Sequence, residues 1–147
     1  MSDTRETTDE AAMIALGEEV AGDLTTGDCV ALVGQLGAGK THFTKGIVAG
    51  LGGDPFAVTS PTFALVQEYG TGCRVPVAHF DFYRMESAGE VLGIGWEDYV
   101  EEAEGVILVE WADKFPELLP PETRWFRFEV AESGARRVTA FSPQKSP

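Results

Sequence analysis

Apolar residues along this chain recur at two spacings, and the spacing assigns the elements. Met13, Leu16, Val20 and Leu24 return every three or four positions, the mark of an amphipathic helix. Thr7-Thr8-Asp9-Glu10 fits a capping box with Thr7 as N-cap, and the helix closes near Gly22 or Gly27. Residues 1–6 before it read as a frayed, disordered end. Residues 29–33 are an unbroken apolar run behind the turn pair Gly27-Asp28, as in a buried strand. Phe43, Ile47 and Val48 then restore helical spacing up to Gly50.

Further on the pattern turns to strands. Residues 63–69 and 74–82 read as a hairpin joined at Gly70-Thr71-Gly72, with Pro76 marking an edge or a later strand start. On the second strand His79, Asp81 and Tyr83 share one face, Phe80 and Phe82 the other. Residues 86–92 and 96–104 read as short helices separated by Gly93 and Gly95. Val106-Ile107-Leu108-Val109 is the purest apolar run in the chain and predicts a central strand buried on both faces, ending at Glu110. Residues 112–119 read as helical, with Pro116 tolerated only near the start. Residues 124–130 alternate, with Phe126, Phe128 and Val130 on one side, and Ser133-Gly134 turns the chain into residues 136–141. The order mixes βα crossovers with antiparallel pairs. It predicts an α/β fold in one domain spanning 1–147: a mixed sheet with a parallel core and antiparallel hairpins, flanked by helices.

Charge narrows the partners. The chain carries 24 Asp and Glu against 11 Lys and Arg, a net charge of −13. A protein that binds nucleic acid by itself usually carries a basic patch, and Arg136-Arg137 is too small to be one, so any nucleic acid is expected to be held by a partner. No apolar run approaches the ~20 residues of a membrane span, and the polar N-terminus lacks an apolar leader segment. The expectation is a cytoplasmic protein without membrane contact, in which Cys29 and Cys73 are reduced and structural.

The chemistry centres on Gly34-Gln35-Leu36-Gly37-Ala38-Gly39-Lys40-Thr41, which fits G-x-x-x-x-G-K-[ST] between the buried strand and its helix. Strand, glycine loop and helix is the order of a P-loop NTPase fold. Gly34, Gly37 and Gly39 lack a Cβ, so the backbone can take positive φ and aim successive N–H groups at phosphate oxygens. Lys40 supplies a point charge to the β- and γ-phosphates, and the Thr41 hydroxyl a ligand for Mg²⁺. The nucleotide-contacting positions are thus Gln35, Leu36, Gly37, Ala38, Gly39, Lys40, Thr41 and the adjoining His42. Glu110, at the end of a second buried strand, is the best-placed carboxylate for the metal, against a capping or surface role. Asp81, an acid within an aromatic-rich strand, is the second catalytic candidate, against a structural pairing with His79 or Arg84. Ser60-Pro61-Thr62 suits a γ-phosphate-sensing loop, with Thr62 as its contact. His79 reads as a hydrogen-bonding core residue, His42 as exposed, and Trp111 as pointing away from Glu110. GTPases of the Ras type read guanine through Asn-Lys-x-Asp, and this chain has no asparagine, which favours ATP. On residues alone, a P-loop small-molecule kinase and a nucleotide-gated binding module stay open beside an ATPase.

Taken jointly, GQLGAGKT at 34–41, SPTFALV at 60–66, HFDFYR at 79–84, LGIGWEDY at 92–99 and VILVEWAD at 106–113 resemble one family closely. It is the bacterial tRNA threonylcarbamoyladenosine biosynthesis ATPase TsaE, also called the YjeE family. The resemblance implies an ATPase that is weak alone and supports turnover of a TsaD–TsaB transferase acting beside the tRNA anticodon. It further implies that Lys40 and Thr41 bind phosphate and Mg²⁺, that Glu110 lies in the metal's coordination sphere, that Thr62 sits in a switch-like loop, and that Asp81 and Trp111 matter functionally. Gln35 replaces the family's frequent Asp and His42 its frequent Thr or Ser. No arginine finger is evident, Arg84 being the nearest candidate in cis.

Overall fold

Side-chain alternation along two apolar strands sets the layers of the molecule. Val30, Leu32, Val106 and Leu108 point into one hydrophobic cluster, while Cys29, Ala31, Val33, Ile107 and Val109 point into another on the opposite face. The structure is a computed structural model that describes residues 4–35, 37–58, 66–70 and 74–142. Its strands are β1 Thr4–Thr7, β2 Cys29–Gly34, β3 Val66–Tyr69, β4 Val77–Asp81, β5 Val106–Glu110, β6 Arg124–Val130 and β7 Arg136–Phe141. Its helices are α1 Glu10–Ala21, α2 Lys40–Gly50, α3 Ala88–Gly93 and α4 Trp96–Glu101.

The strands form one sheet in the order β1-β7-β6-β2-β5-β4-β3. The inner four, β6, β2, β5 and β4, run parallel. The flanks are antiparallel: β3 on β4, and β7 between β6 and β1. This is the predicted mixed sheet, with β5 buried at every position near its centre. Helices α1 and α2 cover one face through Met13, Val20, Phe43, Ile47 and Val48. On the other face Val91 and Trp96 pack with Phe115, and Phe80 and Phe82 meet the Trp96 ring edge-on at 5.0 and 5.4 Å.

Helix α2 is held in place by backbone-to-backbone contact with α1. A Cβ added at Gly46 would lie 2.0 Å from the Ile14 carbonyl oxygen, and one at Gly17 2.2 Å from that of Phe43. Only glycine at both positions lets the helices approach so closely.

Several expectations need correction. Residues 4–6 are not frayed; with Thr7 they form β1, paired with β7 from Thr4↔Thr139 to Thr7↔Arg136. The strand is polar, so its stability comes from ladder hydrogen bonds and surface pairs such as Arg137–Glu6, which leave no hydrophobic signal. The cap of α1 is Asp9, whose Oδ1 accepts from the Ala12 N–H at 2.7 Å, and Thr7 is left in the strand. The predicted helix at 112–119 is two single 3-10 turns, Ala112–Lys114 and Pro116–Leu118, because Pro116 has no N–H to continue the first. Val130 is exposed, since it ends β6 beside the turn at Ser133-Gly134. Strand β4 starts after Pro76, one of the two alternatives. Residues 63–65 of the predicted hairpin, and Cys73, lie outside the described residues; Cys29 is buried and unpaired, and burial pushes its thiol up to about 12.

Candidate nucleotide-binding site

The loop after β2 has the predicted backbone. Gly34, Gly37 and Gly39 have φ of 138°, 77° and 105°. Gly34 is also required by its neighbour strand, because a Cβ there would lie 2.2 Å from the Phe128 carbonyl oxygen of β6. The Gln35 carbonyl accepts from the Ala38 N–H at 3.3 Å and closes the loop. Helix α2 then starts at Lys40 with no side-chain cap and no acidic residue in its first turn. Its N-terminal N–H groups and the positive end of its dipole are left for an anion.

Lys40 is 5% exposed, with Nζ donating to the Gly34 carbonyl at 2.7 Å and lying 4.1 Å from the centre of the Trp111 ring. Burial holds its ammonium below the ordinary lysine value, against the opposing pull of Glu110, Asp81 and Asp113. Trp111 therefore does not point away from the site. Its φ of 58° puts it in the left-handed region, the one non-glycine there among the described residues. That conformation breaks the strand alternation after Glu110 and turns the indole back over Lys40, with the Tyr83 ring tilted against it at a centroid distance of 4.9 Å.

Glu110 and Asp81 are register partners at the C-terminal ends of β5 and β4, both buried. Glu110 Oε2 accepts from His79 Nε2 at 2.7 Å, and His79, fully buried, has its Nδ1 3.2 Å from the Tyr69 hydroxyl. His79 is thus the hydrogen-bonding core residue expected, and its partner is the candidate metal ligand. Asp81 Oδ1 accepts from the Tyr83 N–H at 2.8 Å. Burial raises the Asp81 carboxyl above the usual range, the Tyr83 N–H lowers it, and the Glu110 charge raises it again.

Of these groups, Lys40 and Glu110 open onto a cleft of about 440 Å³. Gly37, Gly39, Lys40, Thr41, His42 and Glu110 line one end, within the size range of small-molecule sites. His42 is partly exposed, with Nε2 3.5 Å from Glu10. Leu36 and Thr62 lie outside the described residues. The cleft also contains Thr7 and Arg136, which the sequence reading passed over. Their only signal is the β1–β7 register that sets them opposite each other, and that register is not readable from a polar strand.

A glycine loop leading from the central strand of a parallel-cored sheet into an uncapped helix, with a buried Lys and Glu facing it, places this chain among the P-loop proteins. Residues 7–138 match the family described as threonylcarbamoyl adenosine biosynthesis protein TsaE, and the chain belongs to that family. It is 42% identical over 125 residues to the tRNA threonylcarbamoyladenosine biosynthesis protein TsaE of Bacillus subtilis, covering 85% of this chain and 76% of that one. Identity to the protein of the same name from a Nostoc species is 39% over 112 residues, 74% of this chain and 67% of that one. The crystal structure of YdiB from Bacillus subtilis is similar at a TM-score of 0.75 and 34% identity, over 93% of this chain and 82% of that chain.

Proposed function

We propose that this protein is a cytoplasmic, Mg²⁺-dependent ATPase that is weak alone. Its nucleotide cycle supports a TsaD–TsaB transferase forming threonylcarbamoyladenosine next to the tRNA anticodon. The observation that carries the reading is the convergence of Lys40, Thr41 and Glu110 on one cleft at the uncapped start of α2. Phosphate oxygens would replace the Gly34 carbonyl as acceptors for Lys40, exchanging a neutral partner for a charged one. Family membership and the acidic charge support the assignment to an accessory protein that leaves tRNA to its partners.

The donor set suits a hard cation. Thr41 and Glu110 offer oxygen ligands from the cleft wall, and Asp81 is the register partner of Glu110 on the neighbouring strand. A Mg²⁺ ion held by one or two protein oxygens takes its remaining ligands from substrate phosphates and water. Bound Mg²⁺ would supply neutralisation of the phosphate charge. His79 fixes the Glu110 carboxylate in orientation, and Asp81 is the second acid available to order water near the γ-phosphate.

ATP hydrolysis measured with Mg²⁺, alone and with the TsaD–TsaB pair, tests the reading, with Lys40→Ala as control. A low basal rate that rises with the pair and disappears in the variant is expected. A rate indifferent to the pair would overturn it.

A further inference from the structure

The Glu110 carboxylate is held by a chain of hydrogen bonds that leaves the cleft and ends at the edge of the sheet. Strand β3 is the last strand on its side and pairs antiparallel with β4, which sets Gln67 opposite His79. Alternation places Tyr69, two residues on, on the same face as Gln67, and the Tyr69 ring lies 5.9 Å from that of His79. The Tyr69 hydroxyl is 3.2 Å from His79 Nδ1 and donates to Gln67 Oε1 at 2.5 Å. On the other side of the imidazole, Nε2 is 2.7 Å from Glu110 Oε2. His79 is fully buried, so each ring nitrogen needs a partner: Nε2 has the carboxylate and Nδ1 the phenol. A ring held at both nitrogens cannot turn without breaking one of these bonds. Packing alone does not call for the hydroxyl. Tyr69 is buried in the apolar cluster that includes Leu51, Val75 and Val77, a place that phenylalanine would fill equally well.

We propose that Tyr69 is a positioning residue for the metal site: its hydroxyl fixes the His79 ring, and the ring in turn holds the Glu110 carboxylate toward the cation. The proposal rests on the ATPase reading and adds to its machinery a residue of the edge strand. Tyr69 does not line the cleft, so it acts through His79. A carboxylate ligand gains affinity when its orientation is set before the metal arrives, because less ordering is then left to the binding step.

Tyr69→Phe tests this, since it removes only the hydroxyl. Calorimetric titration of ATP with Mg²⁺, and of ATP in excess chelator, separates the metal from the rest of the nucleotide. The expected result is a weakening of Mg²⁺-ATP by about 10-fold, the lower end for a group that supports a ligand from behind, with metal-free ATP unchanged. In a His79→Ala background the same change should add no further loss, because the residue acts through that ring. The melting temperature of the ligand-free variant reads any structural role separately. Unchanged Mg²⁺-ATP affinity, whatever the melting temperature does, overturns the proposal. Equal weakening of both forms of ATP, or a loss that adds in full to that of His79→Ala, overturns it too and leaves the ATPase reading intact. A parent protein that binds no ATP, or binds it equally with and without Mg²⁺, removes the metal-site reading itself, and the proposal with it.

Discussion

Asp81 shows how a single buried acid is poised between stability and function. Its carboxyl sits above the ordinary range, chiefly through burial and further through the Glu110 charge, against the Tyr83 N–H. The folded chain therefore binds this proton more tightly than the unfolded chain does. That contribution to stability is present in full below the ordinary carboxylate pKa and is lost as pH rises from it through the raised folded value. Asparagine keeps an oxygen for the Tyr83 N–H and drops the charge. Asp81→Asn, free of metal and nucleotide, should melt at a higher temperature than the parent at neutral pH, the gap closing toward about pH 4. On the proposed ATPase reading, with Asp81 as a catalytic acid, hydrolysis in the presence of the TsaD–TsaB pair should fall by about 10²- to 10⁴-fold in the variant. Thermal melts across pH decide the first point, and a variant less stable than the parent at neutral pH would show that the ionised carboxylate supports the fold. Glu110 is placed differently, because His79 meets its charge directly at 2.7 Å. Two carboxylates side by side thus have distinct surroundings.

At the scale of elements, the site depends on how closely α1 lets α2 approach the sheet. The Gly17–Gly46 contact is backbone against backbone, so no side chain can give way. Gly46→Ala must push the helices apart and should cost about 1–3 kcal/mol of stability, the usual price of overpacking. Because α2 begins at Lys40, the same shift should weaken ATP binding. Gly93→Ala is the control: the added Cβ meets nothing within 4 Å at the end of α3, and the change should be neutral or stabilise by up to ~1 kcal/mol. Chemical denaturation of both variants measures the difference, and equal effects would mean that helical glycine itself, not the crossing, sets stability. The elements most legible in the sequence were those whose burial imposes a period: β2, β5, α1 and α2. Strand β1 was not, because one buried residue in four leaves no pattern. Helix ends were placed less well, since Asp9 and Thr7 are equally good caps on composition and only the β1 pairing decides between them.

For the molecule as a whole, what could be read in advance was what is local in sequence. The phosphate loop lies within eight consecutive residues and its three glycines have the positive φ their positions required. Glu110 stood out because it ends a predicted strand, and Asp81 because it is an acid inside an aromatic-rich one. The far end of the cleft joins residue 7 to residue 136 through a ladder at the edge of the sheet, and Trp111 returns to Lys40 through a left-handed turn; neither follows from spacing. Charge, by contrast, is a property of the whole chain that folding redistributes without changing. Among the ion pairs the structure shows, Arg5 meets Glu19 at 3.0 Å and Arg137 meets Glu6 at 3.3 Å, so two of the eleven cations are matched to carboxylates. Binding to tRNA through phosphate contacts alone requires released counterions, and a surface of this sign releases few. The isolated protein should therefore bind tRNA no more tightly than about 10⁻⁴ M at physiological salt, the weak end of non-specific association. Lowering the salt should not rescue it. Fluorescence anisotropy with labelled tRNA, run with and without the TsaD–TsaB pair, checks this: association only in the presence of the pair is expected. Tight binding by the protein alone, steepening as salt falls, would show that the fold gathers its few cations into a nucleic-acid surface and that tRNA contact is direct.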